Sequence, residues 1–263
     1  MPSTHLRFNS NLGAKKPENI INREVACPFC DRSQLSDILD EDGPIILLMN
    51  KYPVLEDAFQ TVLIETDDCN AELSEYPKEH LYRLMRFGLR HWFRLQETGT
   101  YASVLFFKNH GPYSGGTIRH PHMQIVGLKN VDYHQALDVT YVHGLEIANK
   151  SGVTLNVSTH PRVGFFEFNV LFHGMENVET MADFVQVATH YTLNHFHRLC
   201  QSYNLFFYTL PSDMRSHEFG GRSYAVKVVP RFVTSPLYIG YSIPQVSDRI
   251  ETVVNDMQQR YFS

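Results

Sequence analysis

The chain is 263 residues long, enough for one large domain or two modest ones, and 43% of it is hydrophobic, an ordinary share for a fold with a buried core. A net charge of −5 excludes a broad nucleic-acid footprint, which needs a basic stripe, but leaves room for a local basic pocket. Four cysteines are too few for a disulfide scaffold, the first residues lack the apolar core of a signal peptide, and "PIILLM" is too short to span a bilayer, so a cytoplasmic protein with no membrane partner is expected.

Residues 1–26 are polar, carry "GAKKPEN", and read as an arm leading into the fold. "CPFC" follows as a tight turn. "GPIILLMNKYP", residues 43–53, reads as a strand ending at Pro53, and "FQTVLIET", residues 59–66, as another. Ser74 is placed to cap a helix, with Pro77 in its first turn. Leu81, Leu84, Met85, Trp92 and Leu95 then recur at helical spacing to about Glu97. "YASVLFFKN", residues 101–109, is a third strand. The glycine-rich loop "HGPYSGGT" leads into a fourth, "TIRHPHMQIVG", residues 117–127, whose alternation puts His120, His122 and Gln124 on one face.

The second half repeats this layout. "GVTLNVST" and "VGFFEFNVLFH" read as strands, and "VETMADFVQVATHYTLNHFHRLCQ" as a long helix with Met181, Phe184, Val185, Ala188, Tyr191 and Leu199 on its apolar side. "YNLFFYTL" and "RSYAVKVVPRFV" read as strands, and "SDRIETVVNDMQQRYF" as a closing helix. The order strand, strand, helix, strand, strand therefore occurs twice, a repeat of layout and not of letters. The span from Lys129 to Lys150 is the expected connector.

Cys27 and Cys30 are spaced so that two thiolates can grip one ion from a single turn, which alone is half of a zinc site. Cys69, after "TVLIET", and His120 are candidates for the other two positions. The alternative is a pair of free thiols at a turn and a small core cysteine. Cys200, inside the long helix, reads as a buried thiol.

If His120 faces a metal, His122 is left for chemistry. A neutral imidazole attacks activated phosphorus near neutral pH and leaves again when a second phosphate attacks. Gln124 could donate its amide N–H to a phosphoryl oxygen, and the glycine loop offers backbone N–H groups. Asn109 and Thr117 add neutral donors; Lys108 and Arg119 could add charge. The alternative is a wet strand with a plain hairpin loop, although H-P-H-x-Q after a glycine-rich loop is a far rarer pattern than a lone H-x-H.

"CPFC", "NKYP", "VLIETDDC" and "FFKNHGPYSGGTIRHPHMQ" occur in the order and near the spacing of the galactose-1-phosphate uridylyltransferases, a branch of the histidine-triad superfamily, and the chain resembles that family from about Cys27 to Leu128. The resemblance implies an α+β, histidine-triad-like fold of two pseudo-repeated halves, each a mostly antiparallel sheet with a long packed helix. It implies a catalytic half over residues 1–130 and a degenerate half over 131–263. It makes His122 the nucleophile, Gln124 its phosphate-stabilising partner, and Cys27, Cys30, Cys69 and His120 the ligands of one structural Zn2+. Asn109 and Thr117 would contact phosphates, with Gly115 and Gly116 beside them, and Asn50 would sit near the nucleoside. The implied activity moves a nucleoside monophosphate, UMP in the family, from a nucleotide sugar or similar pyrophosphate to a phosphorylated acceptor, in a homodimer. The family's second-half H-x-H is absent from "YAVKVVPR", and Glu167 lacks histidine partners, so no second metal is expected. The alternatives are a nucleotide pyrophosphate hydrolase, a dinucleotide phosphorylase such as those acting on diadenosine tetraphosphate, or a zinc-stabilised binding protein without turnover.

Overall fold

Five strands and one long helix make up each of two units, Met1–Gln135 and Ala136–Ser263, in the computed structural model, which describes residues 5–212, 221 and 223–263. The first unit runs through a short helical turn α1 (Ser10–Gly13), β1 (Ile38–Asp42), β2 (Ile45–Met49), β3 (Ala58–Ile64), α2 (Lys78–Glu97), β4 (Ser103–His110) and β5 (His122–Leu128). Its strands pair antiparallel in the order β1-β2-β3-β5-β4. The second unit runs through β6 (Gly144–Lys150), β7 (Val153–Ser158), β8 (Phe168–Phe172), α3 (Val178–Tyr191), β9 (Tyr203–Thr209), β10 (Tyr224–Pro230), α4 (Pro236–Tyr241) and α5 (Ile250–Tyr261). Its strands pair in the order β6-β7-β8-β10-β9, also antiparallel. Strand for strand, the two topologies are the same.

The α+β fold with two like halves is the one the resemblance implies, but each half holds three strands before its helix, not two. The extra strands are β1 and β6. Both are edge strands, and both are rich in polar residues: β1 reads "ILDED" and is largely exposed. Charge on an edge prevents further pairing and erases the alternation by which a strand is recognised. β6 occupies part of the expected connector.

Side-chain alternation gives the first sheet two faces. Leu63, Met123 and Lys108 are cross-strand partners and share one face with Phe106 and Ile125. Helix α2 covers that face: Trp92 Nε1 donates to Val104 O at 2.9 Å, and Gly88 brings the helix so close that a Cβ there would lie 2.6 Å from the Phe106 ring. The other face carries Ile46, Leu48, Val62 and Ile64, with Phe29 and Leu35 packed on them. His122 and Gln124 lie on this second face, opposite Ile64 and Val62.

The helices depart from expectation at their ends. Ser74 belongs to a 3-10 turn that precedes α2, where Glu72 accepts from its N–H, and Pro77 itself takes the cap position. Helix α3 stops at Tyr191 and passes into a π-turn, Thr192–Phe196, so Leu199 is exposed and Cys200 is buried in a loop rather than in the helix. Strand β5 begins at His122 and not at Thr117. Residue 121 is proline, which has no N–H for a ladder, while its carbonyl accepts from Glu65 N at 3.1 Å. His120 therefore lies just outside the strand. No helix among the described residues is long and apolar enough to cross a membrane.

Candidate active site and metal centre

The two histidines, two residues apart, are held by two backbone carbonyls that fix opposite tautomers. A carbonyl oxygen can only accept, so the ring nitrogen facing it must carry the proton. His120 Nε2 faces Thr66 O at 2.8 Å, which leaves Nδ1 as the lone-pair nitrogen. His122 Nδ1 faces the carbonyl of His120 at 2.8 Å, which leaves Nε2 with the lone pair. Both rings are buried, and burial lowers both pKa values, that of His122 to about 4. Neutral imidazole is thus the resting form of each.

The free Nδ1 of His120 lies 3.5 Å from Cys27 Sγ and 3.6 Å from Cys30 Sγ. Ligand atoms of Cys27, Cys30, Cys69 and His120 all fall within 4.8 Å of one another. A tetrahedral zinc with ordinary Zn–S and Zn–N lengths sets its S and N ligands about 3.6 Å apart and its sulfurs about 3.8 Å apart, so the cage fits the ion. The chemistry of the donors agrees. Desolvation pushes the Cys30 thiol up to about 12, and the hydrogen bonds and negative charge of Cys27 and Cys69 add to the rise, so the gathered thiolates need a cation. The second ring nitrogen of His120 donates to a carbonyl, as metal-bound histidines commonly do. Four protein ligands would leave no open position on such an ion, the arrangement of a structural centre.

His122 lines a cavity of about 350 Å³ on the open face of the first sheet. Asn50, Asn109, Gly115, Gly116, Thr117 and Gln124 line it too, so the structure brings every expected catalytic and substrate-binding position to one space. Gly115 has φ +85°, open to glycine at little cost. A Cβ on Gly116 would lie 3.2 Å from that of Asn109, so the loop approaches β4 closely. Asn50 spends its Oδ1 on the N–H of Tyr52 at 2.9 Å, closing the turn after β2 and leaving the amide NH2 as the end it can offer.

Lys108 does not join this set. It faces α2, buried, in an ion pair with Glu65, whose other oxygen accepts from Tyr76 O–H at 2.9 Å. Arg119 is exposed, its guanidinium 3.9 Å from Cys69 Sγ. Sequence reasoning missed Phe29, whose ring stands edge-on to both histidines, with centroids 5.9 Å from His120 and 5.5 Å from His122. It also missed the arm, which contributes Lys16 and Pro17 to the cavity. The signal for Phe29 was its place inside C-P-F-C; nothing in the arm's polar sequence marked it as a wall.

The sequence profile of the domain of unknown function (DUF4931) N-terminal domain matches residues 8–131, and that of its C-terminal domain matches residues 134–262. The chain belongs to the DUF4931 family. A DUF4931 family protein from Bacillus cereus of solved structure is 43% identical, with TM-score 0.75, over 86% of this chain and 100% of that one. A GALT-like protein from Arabidopsis thaliana superposes with TM-score 0.71 at 16% identity, covering 89% of this chain and 91% of that one. An ADP-glucose phosphorylase from Arabidopsis thaliana, solved with bound ADP-glucose, gives TM-score 0.71 at 15% identity over 95% and 92%. At these identities the likeness to the two plant proteins establishes the fold of this DUF4931 chain, which is that of the GALT-like protein and the ADP-glucose phosphorylase. A comparison with curated proteins returned no match.

Proposed function

We propose that the protein is a nucleotidyltransferase that works through a covalent histidine-nucleotide intermediate on His122. The observation that carries this reading is the Nδ1–H to His120 carbonyl bond, which leaves Nε2 unprotonated on a residue that lines the cavity. In the first step Nε2 attacks the α-phosphorus of a nucleoside pyrophosphate. The N–P bond forms, the P–O bond to the departing phosphate breaks, and its electron pair leaves with that phosphate. In the second step an oxygen of a phosphorylated acceptor attacks the same phosphorus, and the N–P electrons return to the ring. Gln124 and Thr117 donate to the phosphoryl oxygens as charge builds there. The pyrophosphate is a nucleotide sugar, and UMP is the group moved. Cys27, Cys30, Cys69 and His120 hold one Zn2+, which when bound cross-links the C-P-F-C turn to the start of β5. That link fixes Phe29 against the ring of His122.

The test is intact mass after incubation with UDP-glucose, UDP-galactose, ADP-glucose and diadenosine tetraphosphate, each without acceptor. A stable increment of one nucleoside monophosphate, absent from His122→Ala, is the expected result. No increment with any of the four, or an increment that persists in His122→Ala, would sink the reading. Release of free monophosphate without acceptor would turn it into a hydrolase.

A further inference from the structure

The reaction proposed above collects negative charge beside His122, yet β5 and the glycine loop answer it with neutral donors only. The cationic side chains that do line the cavity are Lys16 and Lys51, together with the carboxylates of Asp31 and Asp37. Lys51 is exposed to water, whereas Lys16 is half-buried. Burial pulls the Lys16 ammonium below its usual pKa, and it forms no ion pair among the described residues. Asp31 is already engaged, accepting from Ser33 N and Oγ. A desolvated, unpaired ammonium is an unfavourable arrangement unless an anion completes it.

The arm that carries Lys16 is built to hold its place. Asn9 Oδ1 caps α1 by accepting from Leu12 N, and Asn9 N donates to Val54 O at 2.8 Å. Farther along, Asn19 N donates to Thr117 O at 2.9 Å, and its Oδ1 accepts from Arg119 N at 2.7 Å. Asn19 is buried and ties the arm to the end of the glycine loop, three residues beyond Lys16. Lys16 therefore lies between two fixed points and lines the same cavity as the loop whose N–H groups would meet a phosphate.

We propose that Lys16 is the phosphate-binding cation of this site, its ammonium pairing with a non-bridging oxygen of the nucleotide's α-phosphate. This rests on the cavity being a nucleotide site, and the experiment separates the two ideas. Titration calorimetry compares UMP and AMP with uridine and adenosine on the full chain, for the wild type, Lys16→Gln and Lys16→Arg. Removing one charge-assisted contact is expected to weaken monophosphate binding about tenfold to a hundredfold. Nucleoside binding should be unchanged, and Lys16→Arg should restore most of the loss. A merely structural lysine would lower both ligands together, and that result would overturn the proposal, as would monophosphate binding unaffected by Lys16→Gln. A wild type with no preference for a monophosphate over its nucleoside overturns it too. A preference that depends on Lys16, without any covalent adduct at His122, would keep this inference and sink the transfer reaction.

Discussion

The two units share a topology and differ in what they do with the sheet face away from the long helix. In the first, that face presents His122 and Gln124 to a cavity roofed by polar loops and the cysteine turn. In the second, the ring contact of Phe168 with Tyr191 puts Phe168, and with it Val226 and Val228, on the α3 side. Alternation then leaves Ala225 and Lys227 on the opposite face. There Val142, Leu171, Leu210 and Ala225 form a closed apolar cluster, with Leu137, Val139 and Tyr208 packed on it. Lys227 is buried 2.7 Å from Glu167, whose other oxygen accepts from the N–H groups of Arg162 and Val163. Among the described residues, one face opens onto a cavity and the other carries a packed cluster of side chains. The topology is thus a frame, and what occupies the second face decides whether it houses chemistry or core.

The largest expected effect follows from stripping the metal. Chelation, or Cys30→Ser, should abolish zinc binding and destabilise the first unit by several kcal/mol, below the roughly 10–16 kcal/mol with which structural zinc binds zinc-finger peptides. Hydrogen exchange checks this. Amides near 27–30, 66–69 and 120–122 should lose protection while those of β7 and β8 keep theirs; equal loss in both units would erase the distinction drawn here.

Next is His122→Ala, which should reduce nucleotidyl-enzyme formation by about a thousandfold or more, as removal of a nucleophile does elsewhere. Placing a histidine on the matching face of the second unit, as Ala225→His, should restore nothing, because Ala225 is buried among Val142, Leu171 and Leu210. Rescue would show the two faces to be interchangeable.

Breaking either buried ion pair comes third. Lys108→Met strands Glu65, and Lys227→Met strands Glu167; each should cost about 3–5 kcal/mol in denaturant unfolding. The double change Lys108→Met with Glu65→Gln should recover much of the loss. Glu167 also holds two backbone N–H groups, so the corresponding double change in the second unit should recover less.

The smallest effect is expected from Gly88→Ala, whose methyl group would press on the Phe106 ring. Overpacking of this kind costs about 1–3 kcal/mol, which a thermal melt would resolve, and it should leave zinc content unchanged.

The sequence is most readable where one interaction dominates. "PIILLM" became β2, buried almost throughout, because a central strand needs no polar face. The periodicity of α2 survived because one stripe of the helix meets the sheet. His122, Gln124 and the cysteines stood out because few other roles need those residues at those spacings. Where two effects compete, the reading failed. β1 carries three acids in five residues, a pattern that serves an edge and hides a strand. Lys108 was read as a cation for the ligand, but strand parity turns it toward α2 and Glu65. The arm was illegible because its place is set by Asn19, through partners about a hundred residues away.

His120 is the one residue whose ring belongs to the cage and whose carbonyl holds the proton of its neighbour. On the transfer reaction proposed above, damage to the sulfurs would therefore reach the nucleophilic nitrogen through a single peptide unit, so that one lesion loosens the fold and misaims the ring together.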